Sequence, residues 1–195
     1  MAMSTIASTD ILLMLRVRDG EAETFNVLVD RHRNDLIGFL YRMVFNHAIA
    51  EELAQDAFMR AYKSREAYQP TAKFTTWLYS IAMRLALNWI RDNRLRRSQP
   101  LEGRYRDGRP REFADSRPRA DAMVLNEEMR RALRAAVAEL PERQRAVLVM
   151  HRYQEMTYDQ IAEALHSTPQ AVKSMLFRAH ASLRQRMVET LGSPN

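Results

Sequence analysis

Apolar positions recur along this chain at the three-and-four spacing of amphipathic helices, and no stretch alternates as a strand would. A short helix is expected over residues 10–17, with Asp19-Gly20 ending it. The next stripe runs through Phe25, Leu28, Val29, Leu36, Leu40 and Val44. Residues 48–65 point Leu53, Ala57, Phe58, Ala61 and Tyr62 to one side, and residues 74–89 do the same with Phe74, Trp77, Leu78, Ile81, Ala82, Leu85 and Trp89. Between them, residues 64–73 break the period around Tyr68-Gln69-Pro70-Thr71. Another helix is expected from Asp121 through Leu125, Met129, Leu133 and Val137 to Leu140, and Pro141 opens a further one that buries Val147, Leu148 and Met150.

The stretch that follows is the most informative. Thr157 with Gln160 three residues on forms a capping box, so a helix starts there with Ile161, Ala162 and Leu165 on its apolar face. His166-Ser167-Thr168-Pro169 interrupts it, Thr168-Pro169 reading as N-cap and first helical residue. The second helix buries Val172, Met175, Leu176 and Ala179, and turns Gln170, Lys173, Ser174, Phe177 and Arg178 outward. Two short helices with a tight break describe a helix-turn-helix, whose second helix enters a DNA major groove. An ordinary pair of core helices is the plainer alternative. His166 stands where such turns usually place Gly, and a left-handed backbone costs His more than Gly.

Residues 98–120 differ in kind. They are rich in Arg, Asp, Pro and Gly, with little to bury, so they should form a flexible linker. A coil of that length averages roughly 25 Å end to end and reaches about 75 Å at full stretch. The fold class expected is therefore all-α: two small helical domains, residues 10–97 and 121–190, joined by that linker, the second containing the helix-turn-helix.

Composition narrows the function. The formal net charge of +6 and the pI near 10.0 suit a polyanionic partner. With no cysteine and 5 histidines out of ligand spacing, neither disulfides nor a metal centre is expected, and no cofactor. The apolar run at residues 11–15 is too short for a signal-peptide core, and no run reaches the length that crosses a bilayer, so a cytoplasmic chain without membrane insertion is expected. No Gly-rich phosphate loop or catalytic constellation is present, which argues against an enzyme.

Two further polar faces stand out. Glu51, Glu52, Gln55 and Asp56 cluster opposite the apolar stripe of residues 48–65, either as a protein-binding face or as acid that complements the helix dipole. Ser80, Arg84, Asn88 and Arg91 share a face, with Arg94 beyond. Beside a loop carrying Tyr68, this basic stripe offers phosphate neutralisation and base stacking, the ingredients of single-strand binding.

Taken together, residues 21–97 and 130–187 resemble a bacterial sigma factor of the extracytoplasmic-function group. The strings carrying the likeness are AEELAQDAFMRAY (residues 50–62), FTTWLYSIAMRLALNWIR (residues 74–91) and LPERQRAVL…MTYDQIAEAL…AVKSMLFRAHASLR. The resemblance implies a promoter-specificity subunit that binds core RNA polymerase and promoter DNA, opens the duplex, and is commonly restrained by an anti-sigma factor. It implies that Glu52, Gln55 and Asp56 dock on the polymerase. The segment of residues 67–73, with Tyr68, Gln69, Thr71 and Lys73, would capture an unstacked base of the downstream element, and Arg84, Asn88 and Arg91 would face that element. Gln170, Lys173, Ser174, Phe177 and Arg178 would read the upstream element, and the linker would thread the RNA exit path. Ile49, Arg84 and Asn88 depart from the family's usual Asp, Asn and Asp. The other function in view is a conventional helix-turn-helix regulator that binds duplex DNA without core polymerase.

Overall fold

In the computed structural model, residues 2–98 and 127–191 are described. Most of the segment expected as a linker, and residues 121–126 of the helix expected from Asp121, lie outside them. Eight α-helices occur among the described residues, and no strand: α1 (Ala2–Arg18), α2 (Thr24–Val44), α3 (His47–Lys63), α4 (Phe74–Ser98), α5 (Glu127–Ala138), α6 (Glu142–Gln154), α7 (Tyr158–Ala164) and α8 (Pro169–Leu191). A single 3-10 turn at Arg65–Ala67 lies between α3 and α4.

The helix starts and stops follow local chemistry. The Asn46 side chain accepts the Ile49 N–H at 3.1 Å and so caps α3, which begins one residue before the expected 48. Phe45 before it takes a left-handed backbone, φ 54°, and closes α2 by donating its N–H to the Tyr41 carbonyl at 2.8 Å. Two expected lengths change: α1 begins at Ala2 rather than residue 10, and α4 continues to Ser98, past residue 89. Beyond its apolar stripe α4 has no Gly or Pro to stop it, so the helix propagates through the basic end.

Helices α1 to α4 share one core. Met14 and Val17 of α1, Leu28, Leu36, Leu40 and Met43 of α2, Ala57 of α3 and Leu78 and Met83 of α4 are fully buried. Aromatic rings tie the layers together: Phe39 meets Tyr79 edge-on at 4.6 Å, and Phe25 packs on Tyr62 at 5.2 Å. In the second half α8 packs against α5, α6 and α7, burying Val147, Met150, Met156, Ile161, Val172 and Leu176. The halves also meet, through α2 and α4 against α6 and through α4 against α7. At that junction the Arg42 guanidinium lies 4.1 Å from the Tyr153 ring centroid, and Arg145 lies 5.2 Å from that of Phe45. Arg145 is only 7% exposed and donates to the Ala138 carbonyl at 2.8 Å. Burial lowers its pKa, against the opposing pull of Glu142.

One buried position of α1 is not apolar. Asp10 sits a turn before Met14 on the same inward stripe and is 1% exposed. His32 Nε2 is 2.8 Å from one carboxylate oxygen, and Arg31 pairs with the other. Burial by itself pushes the Asp10 carboxyl up, but the hydrogen bonds and charges of His32 and Arg31 outweigh it, holding it below its ordinary value near 3.8. A carboxyl depressed in the folded state stabilises the fold above its unfolded pKa, and that stability is lost as pH falls through the folded value. The stability gap between wild type and Asp10→Asn, measured by denaturant unfolding, should therefore be full near neutrality and close progressively below about pH 4.

Candidate functional site

Three polar surfaces stand out from the buried core. The first is on α3. Leu53, Ala57 and Phe58 turn inward, which leaves Glu52, Gln55 and Asp56 exposed together one turn of helix apart. Glu51 is drawn aside by His47, whose Nδ1 is 3.6 Å away. Met59, also exposed, extends the same face by a turn and went unremarked in the sequence, where a lone surface Met carries no signal.

The second surface joins the loop of residues 69–73 to α4. Gln69, Thr71 and Lys73 are exposed, as are Arg84, Asn88 and Arg91. The Arg84 Nε donates to the Ser80 carbonyl at 3.3 Å, and Arg91 pairs with Asp92 at 3.3 Å. Two expected members leave this surface. Ser80 is buried and donates its hydroxyl to the Thr76 carbonyl at 2.7 Å, so it belongs to the helix rather than to the basic face. Tyr68 is 1% exposed, with its ring 5.0 Å from Trp77 and 6.4 Å from Phe74. It is therefore not a stacking platform in this arrangement; burying an aromatic ring in an aromatic core outweighs leaving it in the loop. Its hydroxyl has no hydrogen-bond partner. Burial, then the charge of Asp10, pushes its pKa up to about 12.

The third surface lies on α8. The capping box that starts α7 is complete: Thr157 N donates to Gln160 Oε1 at 2.9 Å, and Gln160 N to Thr157 Oγ1 at 3.3 Å. His166 adopts the left-handed backbone expected of the turn, φ 48°, while Ser167 N donates to the Ala162 carbonyl at 2.8 Å. Thr168 Oγ1 then accepts the Ala171 N–H at 3.2 Å and caps α8. Beyond this cap α8 leaves Gln170, Lys173, Phe177 and Arg178 exposed on one face. Ser174 is half-buried and donates to the Gln170 carbonyl at 3.0 Å. Phe177 is 76% exposed, a ring facing solvent between cationic neighbours. Such a face can neutralise phosphates and touch base edges and thymine methyls.

No group of three or more His, Asp or Glu able to hold a metal occurs among the described residues. None of the described helices is long and apolar enough to cross a membrane.

The comparisons fit this geometry. Residues 28–96 match Sigma-70 region 2, and residues 130–183 match Sigma-70, region 4. The chain is 28% identical over 186 residues to an ECF RNA polymerase sigma-E factor of Haemophilus influenzae, covering 92% of this chain and 95% of that one. It is 29% identical to the ECF RNA polymerase sigma factor SigW of Bacillus subtilis, covering 88% and 93%. Among solved structures it resembles the sigma factor RpoE of Bartonella quintana, solved with the anti-sigma factor NepR, at a TM-score of 0.65 and 20% identity, covering 88% and 98%. That likeness concerns the fold.

The turn itself offers a test. A non-glycine residue in the left-handed region carries strain that glycine does not. His166→Gly should raise stability by up to about 1 kcal/mol, and the β-branched His166→Val should lower it, as read by thermal unfolding.

Proposed function

The chain belongs to the extracytoplasmic-function group of the sigma-70 family, and from that membership we propose how its surfaces divide the work. It is a sigma factor: it binds core RNA polymerase, recognises the upstream and downstream promoter elements and opens DNA for initiation. Residues 10–97 form the core-binding and melting domain, residues 98–120 the linker, and residues 121–190 the upstream-element domain. The observation that carries this reading is the order of the two family regions, each with its own outward polar face. The family consists of transcription initiation factors, and we assign this chain no reaction of its own. Its place of work is the cytoplasm, where polymerase and promoter DNA are found. An anti-sigma factor is its proposed inhibitor, as NepR is named for the Bartonella relative.

The roles follow from chemistry. Glu52, Gln55 and Asp56 dock on the polymerase, Met59 adding apolar contact area to a polar patch. Gln69, Thr71 and Lys73 surround an extruded base of the downstream element while Arg84, Asn88 and Arg91 hold the backbone nearby. Gln170, Lys173, Ser174, Phe177 and Arg178 face the upstream element, with Arg178 the best placed to form a bidentate pair with guanine.

Run-off transcription with core polymerase on a promoter library is the direct test. Transcripts that start at one promoter class only when this chain is present support the reading. A chain that binds duplex DNA but directs no initiation is a conventional regulator instead. Within a working holoenzyme, Ala at Glu52, Gln55 and Asp56 together should leave the folding transition nearly unmoved, because exposed charges add little to stability, while core binding weakens in competition assays. Arg178→Ala should cost about 1–3 kcal/mol at one upstream position and relax preference there, whereas Lys173→Ala, if it holds phosphate, should weaken all sequences alike and flatten the salt dependence. Exchanging residues 69–73 for a relative's loop should change the preferred downstream base and the permanganate reactivity of unpaired thymines, and leave core binding alone.

A further inference from the structure

The exposed loop of residues 69–73 is bracketed by two of the most buried rings in the first half. Tyr68 before it and Phe74 after it are both essentially inaccessible, and they touch each other and Trp77. What stands behind those rings is the polar cluster on α1 and α2. The His32 ring lies 5.6 Å from Phe74, and His32 Nε2 is held at 2.8 Å by Asp10. The other Asp10 oxygen pairs with Arg31, so the carboxylate is gripped from two sides and its position is over-determined. α1 also packs directly on the 3-10 turn that leads into Tyr68.

A carboxylate is an odd choice for stability alone. Asp10 shares an inward stripe with Met14 and Val17, and replacing a buried ion pair by well-packed apolar residues is often neutral or stabilising. What an ionic, hydrogen-bonded cluster adds is direction. A hydrophobe at position 10 would let the His32 ring rotate against Phe74, whereas a doubly held carboxylate fixes the ring's plane. The Tyr68 hydroxyl, buried without a hydrogen-bond partner, also feels the charge of Asp10.

We infer that Asp10 is a positioning residue for the downstream-element loop, acting through His32 on Phe74 and so on the two ends of the loop. The inference rests on the function proposed above. It adds a residue on α1, outside the 28–96 match, that no DNA contact would reveal. Pockets for single bases tolerate little displacement, so a loop whose ends are less fixed should discriminate less, even where its exposed residues are unchanged.

The experiment uses the full chain with core polymerase on promoters that vary one downstream base. Asp10→Asn should lower the ratio of preferred to non-preferred base by about tenfold, with upstream preference and core affinity, both normalised to folded protein, within about twofold of wild type. Because Asp10→Asn also weakens the fold, His32→Gln is measured beside it: it keeps a donor for Asp10 but removes the ring that meets Phe74, and should give the same selective loss. Folded variants that both keep the wild-type base ratio overturn the inference. A uniform fall in core, upstream and downstream readouts overturns it too, since that is lost structure and not positioning. A wild-type holoenzyme with no downstream preference at all would instead sink the functional reading itself.

Discussion

A short exposed loop can hold a shape only if its ends are anchored, and here both ends are aromatic residues sunk in one core. Tyr68 and Phe74 contribute ring area that water would otherwise cover, and they meet Trp77 from two directions. The loop between them is left with exposed Gln69, Pro70, Thr71 and Lys73 and needs no regular structure of its own. The same burial that stabilises the first half thus presents these polar side chains from a firm base. Moving Tyr68 from surface to core changes the picture of this site: its ring is a peg, and the polar side chains left in solvent are those of its neighbours.

The second half solves a similar problem with caps instead of rings. A helix pair can present a reading face only if the crossing angle is fixed. The left-handed His166 and the Thr168 cap satisfy backbone groups where the two helices meet, and the Thr157–Gln160 box does the same at the far end of α7. With the ends settled locally, the outer face of α8 is free of structural duty, which is why a ring as large as Phe177 can stand in solvent.

Where the halves meet, the contacts are mixed in character. Arg42 on Tyr153 and Arg145 on Phe45 place cations over rings, and Arg145 is buried with its Nε unpaired by hydrogen bonds. The interface between the halves leaves the three polar faces exposed.

Much of this was legible in the amino-acid order because it depends on neighbours in the chain. Helical periodicity located the inward stripes of α2, α3, α4 and α8; the capping box, the Thr-Pro start and the left-handed turn at His166 are contacts within a few residues. The outward sets at Glu52, Gln55 and Asp56, at Arg84, Asn88 and Arg91, and at Lys173, Phe177 and Arg178 follow from the same periods. Ser80 and Tyr68 were misplaced because a helix face and a loop have no inside until another layer covers them. The grip of Arg31 and His32 on Asp10 spans more than twenty positions, and the stacking of Arg145 on Phe45 spans a hundred; no local pattern encodes either. Sequence alone determined the helices and their faces, since both are set by contacts within a turn or two. Only the tertiary structure decided which polar groups are buried, because burial depends on what the rest of the chain brings against them.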